Sequence, residues 1–409
     1  MTPRWVEVLA LAVDLVIAAP AAIVLVECIA ALWPRRPRVV PAAPAGSSLV
    51  VLVPAHNEEA GIGETVRQIL GQLETGDRLI VIADNCTDAT AARAKEKGAE
   101  VLERADDRRR GKGFALAHGL ESLKAAPPAI IVIIDADTQL APGSMTALRG
   151  RTIQTNGPVQ AVYLLDLPPD AGPTAGVSAF AFLVKNLVRP AGLHRLGIPC
   201  QLLGTGMAIP WTLMDIKRLA TGNIVEDMQL GIDLAIDGHP PVLCLEARVT
   251  GTLPSGRKAA FIQRTRWEHG HLGTLLSQAP RLLWHALRTA RPALAGMALD
   301  LAVPPLALLC LGWVLSGLAS LGLALRGADR LPAILSGITG GLIGLSIILA
   351  WARHARGIVP ARVLAFAPIY ALWKIPLYLA FLFKRQKAWV RTPREDPPAS
   401  AAPPPKRES

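Results

Sequence analysis

Two acids one residue apart, Asp135-Ala136-Asp137, follow directly on the apolar run Ile130-Ile131-Val132-Ile133-Ile134. Carboxylates so spaced at a strand end can turn toward one hard cation, and Mg²⁺ prefers one or two carboxylates completed by phosphate oxygens of a substrate. That reading gives a metal holding a nucleotide diphosphate; the plainer reading is a solvated loop. A second pair of acids, Glu226-Asp227, precedes an apolar helical run, where acids also simply complement a helix dipole. Gly111-Lys112-Gly113 stands before a helix and could bring a lysine and backbone amides to phosphate. It lacks the Walker A spacing and reads equally as a solvated basic turn. Gln263, Arg266 and Trp267 share one helix face at i, i+3 and i+4. An amide, a guanidinium and an indole there suit phosphate and sugar, or an interfacial anchor. Gly204-Thr205-Gly206 is small and flexible, suited to close backbone approach.

The elements that must position these residues alternate. The spacing predicts a strand over 49–53 running into Pro54-Ala55-His56-Asn57-Glu58-Glu59, and a helix over 62–73. It predicts a strand over 79–83 ending in Asp84-Asn85-Cys86-Thr87-Asp88, a short strand over 100–102, a helix over 114–124 and the strand over 130–134. An apolar run of Ile and Val with no alternation reads as a strand buried on both faces, as in a parallel sheet. Further strands are expected over 159–165 and 242–245. The alternation predicts a doubly wound α/β sheet, with polar clusters at the carboxyl edge, where open sheets bind ligands.

The chain has 409 residues, 51% of them hydrophobic, with mean hydropathy +0.35. The excess is concentrated at the two ends, and the middle has the polarity and length of one large α/β domain. Residues 6–33 are long and apolar enough to span a bilayer and lack a clear cleavage site, which favours a retained anchor over a signal peptide. Asp14 and Glu27 lie within it, and acids at such depths face other helices or an interface. Arg35, Arg36 and Arg38 follow and place the next domain in the cytoplasm. Near the other end, residues 275–295 mix Leu282, Leu283, Trp284, Leu287 and Leu294 with Arg281, Arg288 and Arg291, as a basic segment lying on a membrane surface does. Segments 299–325 and 331–351 can span. A third, 363–383, carries Pro368, Lys374 and Pro376 and either spans or bends back. A basic stretch after it belongs in the cytoplasm, yet three clean spans would put it outside. The resulting division is an anchor over 1–36, a linker over 37–48, a catalytic domain over 49–273, an interfacial segment over 274–297, a membrane region over 298–385 and a basic, Pro-rich tail over 386–409. The net charge of +11 sits largely beside apolar segments, which fits anionic lipid; no aromatic-interleaved basic patch points to nucleic acid. The five cysteines are scattered, with no CxxC, and fit a reducing cytosolic middle.

Taken in order, Val53-Pro54-Ala55-His56-Asn57-Glu58-Glu59, Ala83-Asp84-Asn85, Asp135-Ala136-Asp137, Gly204-Thr205-Gly206, Glu226-Asp227 and Gln263-x-x-Arg266-Trp267 resemble the membrane-bound family 2 glycosyltransferases, the group of cellulose, hyaluronan and poly-N-acetylglucosamine synthases and ceramide glucosyltransferases. The resemblance covers about residues 50–271. It implies a GT-A type doubly wound mixed sheet flanked by transmembrane helices. It implies donor contacts from Glu58, Asp84, Lys112, Asp135, Gln263 and Arg266, a metal (Mg²⁺ or Mn²⁺) on Asp135 and Asp137, and Asp227 as general base. Gly204, Thr205, Glu226 and Trp267 would border the acceptor, and Trp389-Val390-Arg391-Thr392 looks like the gating segment of some synthases. A single base attacking in line gives inversion. The implied activity is transfer from a nucleotide sugar, UDP-linked, to a cell-surface polysaccharide or oligosaccharide at the cytoplasmic face of a bacterial inner membrane, with export proteins as partners. Transfer to a membrane lipid is the alternative. A non-catalytic scaffold fits less well, because the acids, Arg266 and Trp267 are all present, and the apolar segments are too few and unrepeated for a transporter.

Overall fold

A computed structural model describes residues 3–33, 47–167, 171–220, 225–253 and 257–383. The expected linker up to residue 46, the basic clusters after Trp33 and Phe383, the tail, and the segment at Trp389 lie outside the described residues. The strands are β1 (Leu49–Ala55), β2 (Arg78–Asp84), β3 (Glu100–Arg104), β4 (Ile130–Ile133), β5 (Thr138–Leu140), β6 (Val159–Asp166), β7 (Met207–Pro210) and β8 (Val242–Thr252). The helices of the sheet region are α2 (Ile62–Leu70), α3 (Thr90–Glu96), α4 (Lys112–Ser122), α5 (Ser144–Thr155), α6 (Pro173–Leu183), α7 (Arg189–Arg195), α8 (Ile216–Leu219) and α9 (Glu226–Ile236), after α1 (Arg4–Ala31) at the start of the chain. The chain continues through α10 (Arg257–Thr289), α11 (Pro292–Leu301), α12 (Leu306–Leu325), α13 (Leu331–Ala350), α14 (Ala361–Leu364), α15 (Ala367–Trp373) and α16 (Ile375–Phe383).

The eight strands form one sheet in the order β3-β2-β1-β4-β7-β6-β8-β5. The first four are parallel, with Val51 opposite Val132 and Val53 opposite Val81. Their unbroken apolar runs have a direct cause, since both faces are covered. Val51, Val53, Val81 and Val132 meet α2, α3 and α5 on one face. Val50, Leu52, Ile80, Ile82, Ile131 and Ile133 meet α4, α8 and α9 on the other. The mixed character comes from β7, which runs antiparallel between β4 and β6, and from β5, antiparallel to β8 at the edge. β8 extends past residue 245 because a register shift at Ala161/Val162 of β6 lets pairing resume as far as Thr252. A period-2 reading stops at such a bulge.

Four helices among the described residues are long and apolar enough to cross a membrane: Arg4–Ala31, Leu306–Leu325, Leu331–Ala355 and Ala361–Phe383. The last is broken into α14, α15 and α16. The sheet is mounted on them directly. Val162 and Leu164 of β6 share one buried cluster with Ala21, Val24 and Cys28 of α1, Phe180 and Leu183 of α6, and Ile343 of α13. α7 approaches α1 so closely that a Cβ at Gly192 would overlap the Glu27 carbonyl at 2.1 Å, a contact only glycine permits. The acids inside α1 are accounted for here. Asp14 accepts from the Ser320 hydroxyl of α12 at 2.7 Å. Glu27 accepts from Arg189 Nε at 2.6 Å, while Arg189 Nη2 reaches Asp300 Oδ1 of α11 at 2.5 Å. The expected surface segment is divided: Leu282 and Leu294 are buried against Met228 and Ile232 of α9, whereas Trp284 and Leu287 face outward, with Arg288 over the Trp284 ring at 5.2 Å.

Removing one member of a buried ion-pair network strands the other charges and costs about 3–5 kcal/mol. Arg189→Met therefore lowers the thermal unfolding midpoint of the full chain in lipid nanodiscs well beyond the shift of a surface control such as Arg67→Met. An unchanged midpoint would show that Glu27 and Asp300 do not depend on Arg189.

Candidate active site

The carboxyl ends of β1, β2 and β4 converge on one cleft. At β2, Asp84 stands in register with Arg104 of β3, and Arg104 Nη1 donates to Asp84 Oδ1 at 2.5 Å. His56 Nδ1 lies 2.7 Å from the Asp84 carbonyl oxygen and ties the end of β1 to the end of β2. The Asp-x-Asp turn is held from three sides. Thr65 of α2 donates to the Ala136 carbonyl at 2.8 Å, Thr138 donates to the Asp135 carbonyl at 2.9 Å, and the Asp135 N–H donates to Thr205 Oγ1 at 3.0 Å. These bonds fix a backbone that would otherwise be a solvated loop, and so favour the site reading over the plain one.

Lys112 opens α4 and reaches across the cleft. Its ammonium donates to Asp135 Oδ1 and, at 2.8 Å, to the Gly204 carbonyl. Gly204 separates this pair from the start of α9: a Cβ there would stand 3.0 Å from Asp227 Oδ2 and 3.3 Å from Lys112 Nζ. The loop carrying Gly204 hangs on Gln160, a fully buried residue of β6. Its amide accepts from the Leu203 N–H at 2.8 Å and donates to the Thr205 carbonyl at 2.9 Å. Gly206, at φ +67°, leaves no room for a side chain, since a Cβ would meet Ala161 at 2.8 Å.

Four carboxylates, Asp135, Asp137, Glu226 and Asp227, border a cavity of about 400 Å³ together with Lys112 and Arg266. Their protonation reflects this crowding. Burial, with Asp135 beside it, pushes Asp137 up to about 6. Burial and the charge of Asp227 push Glu226 up to about 7. Asp227 is also raised by burial, against the pull of Lys112. For Lys112 burial opposes the charge, but Asp135, Glu226 and Asp227 outweigh it and hold the ammonium above its ordinary range. Among the described residues, no cluster of three or more His, Cys, Asp or Glu is arranged to hold a metal. Two carboxylates nevertheless fit a cation that takes its remaining ligands from a diphosphate.

The structure brings Glu58, Asp84, Lys112, Asp135, Asp137, Gly204, Glu226, Asp227, Gln263, Arg266 and Trp267 to the wall of this one cavity. Thr205 is different. Its side chain is fully buried behind the loop, bonded to Asp135, so the expected contact with an acceptor is replaced by a supporting role. Trp267 lies 5.4 Å from Phe182, which meets Tyr163 edge-on at 5.1 Å. Arg104, Gln160, Tyr163, Phe182 and Lys185 escaped the sequence reading. Only Gln160 carried a signal there, as a lone amide in an apolar strand.

A mixed sheet carries acids at the carboxyl ends of its parallel strands, over a cleft holding a lysine and an arginine, and the fold is of the GT-A type. The chain belongs to the glycosyltransferase like family 2, whose sequence model matches residues 44–270. Its fold is similar to that of a mannosyltransferase from Pyrobaculum calidifontis solved in complex with GDP-Man and Mn²⁺, with TM-score 0.53 and 19% identity, covering 90% of this chain and 99% of that one. Among curated relatives, glucosyl-3-phosphoglycerate synthase of Mycobacterium tuberculosis is 42% identical over 103 residues, 24% of this chain and 31% of its own length. The 4,4'-diaponeurosporenoate glycosyltransferase of Staphylococcus aureus is 34% identical over 109 residues, 26% of this chain and 27% of its own. An uncharacterised glycosyltransferase of M. tuberculosis is 35% identical over 104 residues, 25% of this chain and 43% of its own. The chain thus spans less than half the length of these curated relatives.

Gln160→Leu leaves the Leu203 N–H and the Thr205 carbonyl unsatisfied, at a cost of about 1–3 kcal/mol each. The loop beside Lys112 should loosen, raising the KM for the sugar donor more than it lowers the unfolding midpoint. Steady-state kinetics over a donor titration tests this; an unchanged KM would make Gln160 a core residue only.

Proposed function

We propose that the protein transfers a sugar, with inversion, from a nucleotide sugar to a hydroxyl of a lipid acceptor held among its own membrane helices. The observation that carries this reading is the extent of the cavity. The wall that contains Asp137, Asp227 and Arg266 continues to Val24 of α1, to Pro304–Ala307 at the start of α12, and to Tyr370 and Lys374 of the last apolar segment. An acceptor with an apolar body can reach Asp227 from that end without leaving the bilayer, so the lining moves the preference from polymer to lipid. The polymer reading keeps one specific support, the aromatic series Tyr163, Phe182 and Trp267, which suits the face of a sugar ring.

The chemistry follows from the groups present. Asp227 accepts the proton of the acceptor hydroxyl as its oxygen attacks the anomeric carbon from the face opposite the diphosphate. The bond from that carbon to the diphosphate oxygen breaks, and the departing charge is met by Lys112 and Arg266. One base and one displacement invert the anomeric centre. A divalent cation on Asp135 and Asp137, Mg²⁺ or Mn²⁺, would supply further charge neutralisation to the diphosphate. Glu58, Asp84 and Gln263 line the donor end of the cavity. There Asp84, oriented by Arg104, offers a carboxylate to the nucleoside, UDP being the donor class that the resemblance implies.

Helix arrangement supports a cytoplasmic active site. Glu7, at the start of α1, accepts from the Asp329 N–H of the α12–α13 turn at 3.3 Å, while the start of α12 lines the catalytic cavity. α1, α12 and α13 therefore share a far end away from the sheet. The near face carries Arg353, Arg356 and Arg362 against Arg4, Arg326 and Arg330 at the far end, and Arg35, Arg36 and Arg38, which follow α1 in the sequence, tip the count toward the sheet side by the positive-inside rule.

Asp227→Asn should abolish transfer while leaving donor binding close to that of the unaltered chain, a loss of about 10²–10⁴-fold in kcat. Membranes containing the protein, given radiolabelled nucleotide sugars with Mg²⁺ or Mn²⁺, should yield label in the organic-extractable fraction that the variant lacks. Label confined to high-molecular-weight material would return the polymer reading, and near-normal turnover of the variant would remove Asp227 as base. The base works only when ionised, and burial holds its carboxyl up. The kcat/KM profile should therefore fall as pH drops through a limb above the ordinary aspartate value of about 4. A limb at or below that value would contradict the assignment.

A further inference from the structure

A second cavity lies away from the transfer site, where the membrane helices meet the sheet. It has a volume of about 210 Å³ and is bordered by Trp33 after α1, Arg195 of α7, Leu245 of β8, and Arg353 and His354 of the π-turn Trp351–Ala355 that follows α13. Among the described residues, none that line it is an acid. The guanidinium groups of Arg195 and Arg353 make no ion pair or hydrogen bond with any described residue. Arg189, by contrast, is taken by Glu27 and Asp300, and Lys374 by Glu268. A π-turn carries one residue more than an α-helical turn, and here its consecutive residues Arg353 and His354 both border the cavity.

Position narrows the ligand. The cavity sits at the sheet side of α1 and α13, opposite the end where Glu7 meets Asp329. Trp33 stands 68% exposed at its rim, as an indole does at the level of lipid headgroups. Anionic lipids concentrate on the cytoplasmic leaflet. Two guanidinium groups without counter-charges form a receptor for phosphate oxygens, for which the planar fork of arginine is shaped.

We infer that the cavity at Arg195, Arg353 and His354 binds a phosphate group carried by an anionic membrane phospholipid. The seat joins α1, α7, β8 and the turn after α13, so an occupied site links the catalytic sheet to the bilayer at a defined height. This inference does not rest on the transfer reaction and stands or falls apart from it.

Native mass spectrometry of the full chain released from nanodiscs of mixed phosphatidylglycerol and phosphatidylcholine tests it. The unaltered protein should retain phosphatidylglycerol in preference to phosphatidylcholine, and Arg195→Gln/Arg353→Gln should retain about tenfold less of it. Arg195→Lys/Arg353→Lys, which keeps the charge, should preserve most of the preference. Should the double Gln variant fail to fold, Arg353→Gln alone, at an exposed position, carries the same expectation in weaker form. Equal retention of the two lipids by the unaltered protein, or undiminished phosphatidylglycerol on a folded Gln variant, overturns the site. Uptake of inorganic phosphate with no lipid preference overturns the membrane source.

Discussion

The structure depends on one ammonium group in a pit of carboxylates. Lys112 is tied to Asp135 and to the Gly204 carbonyl, and it lies within the field of Glu226 and Asp227. A buried acid without a counter-charge neutralises itself, at a cost in binding and catalysis. Lys112 and Arg266 face four carboxylates, and burial together with the neighbouring acids holds Asp137 and Glu226 above their ordinary range. Under the proposed function, a divalent cation arriving with the donor's diphosphate would complete this balance. The same lysine brings the end of β4, the start of α4 and the 203–206 loop to one point, so electrostatic need and assembly of the site are a single constraint.

A second buried network performs the analogous task between the sheet and the membrane. Arg189 binds Glu27 of α1 and Asp300 of α11, and Gly192 lets α7 sit on the backbone of α1. Replacing such a triad by apolar residues would often cost nothing in stability. What a triad adds is registry, because it has one geometry in which every charge is met. An apolar contact between helices slides more easily. For an enzyme whose cavity runs from sheet to helices, a slip along α1 would shear Val24 away from the wall that contains Asp227.

How much of this was legible in the sequence follows from the kind of signal each part leaves. The parallel half of the sheet was legible because strands covered on both faces must be continuously apolar, and β1, β2 and β4 are. The acids at the strand ends were legible because they interrupt those runs. β7 was not, since four residues paired antiparallel to neighbours on both sides have no local signature. Nor was the role of Thr205, because a hydroxyl in a Gly-rich loop reads as contact with a ligand. Only the register of the loop against β4 shows that it bonds Asp135 instead. Arg104 stayed hidden for a similar reason: its partner Asp84 is twenty residues away and adjacent only across the sheet. Local pattern reports burial, and pairing at a distance reports itself only in three dimensions.

The last apolar segment shows how pairing of that kind alters a reading of topology. By composition it is a fourth span, which would leave the basic stretch after it on the wrong side of the membrane. In the structure it is broken at Phe366 and Lys374, and its side chains are committed to the helix that carries Gln263, Arg266 and Trp267. Lys374 bonds Glu268, His269 lies 2.9 Å from the Leu377 carbonyl, and Arg264 stacks over Tyr370 and Trp373 at 5.9 and 5.4 Å. The same stretch of α10 thus lines the cavity and is bonded to this segment, whose Tyr370 and Lys374 line it too. A lysine and a glutamate paired beside the active site are unsuited to the centre of a bilayer, and prolines in a broken helix are tolerated where protein covers the freed backbone groups. Both features favour a segment that enters the membrane beside the site and returns.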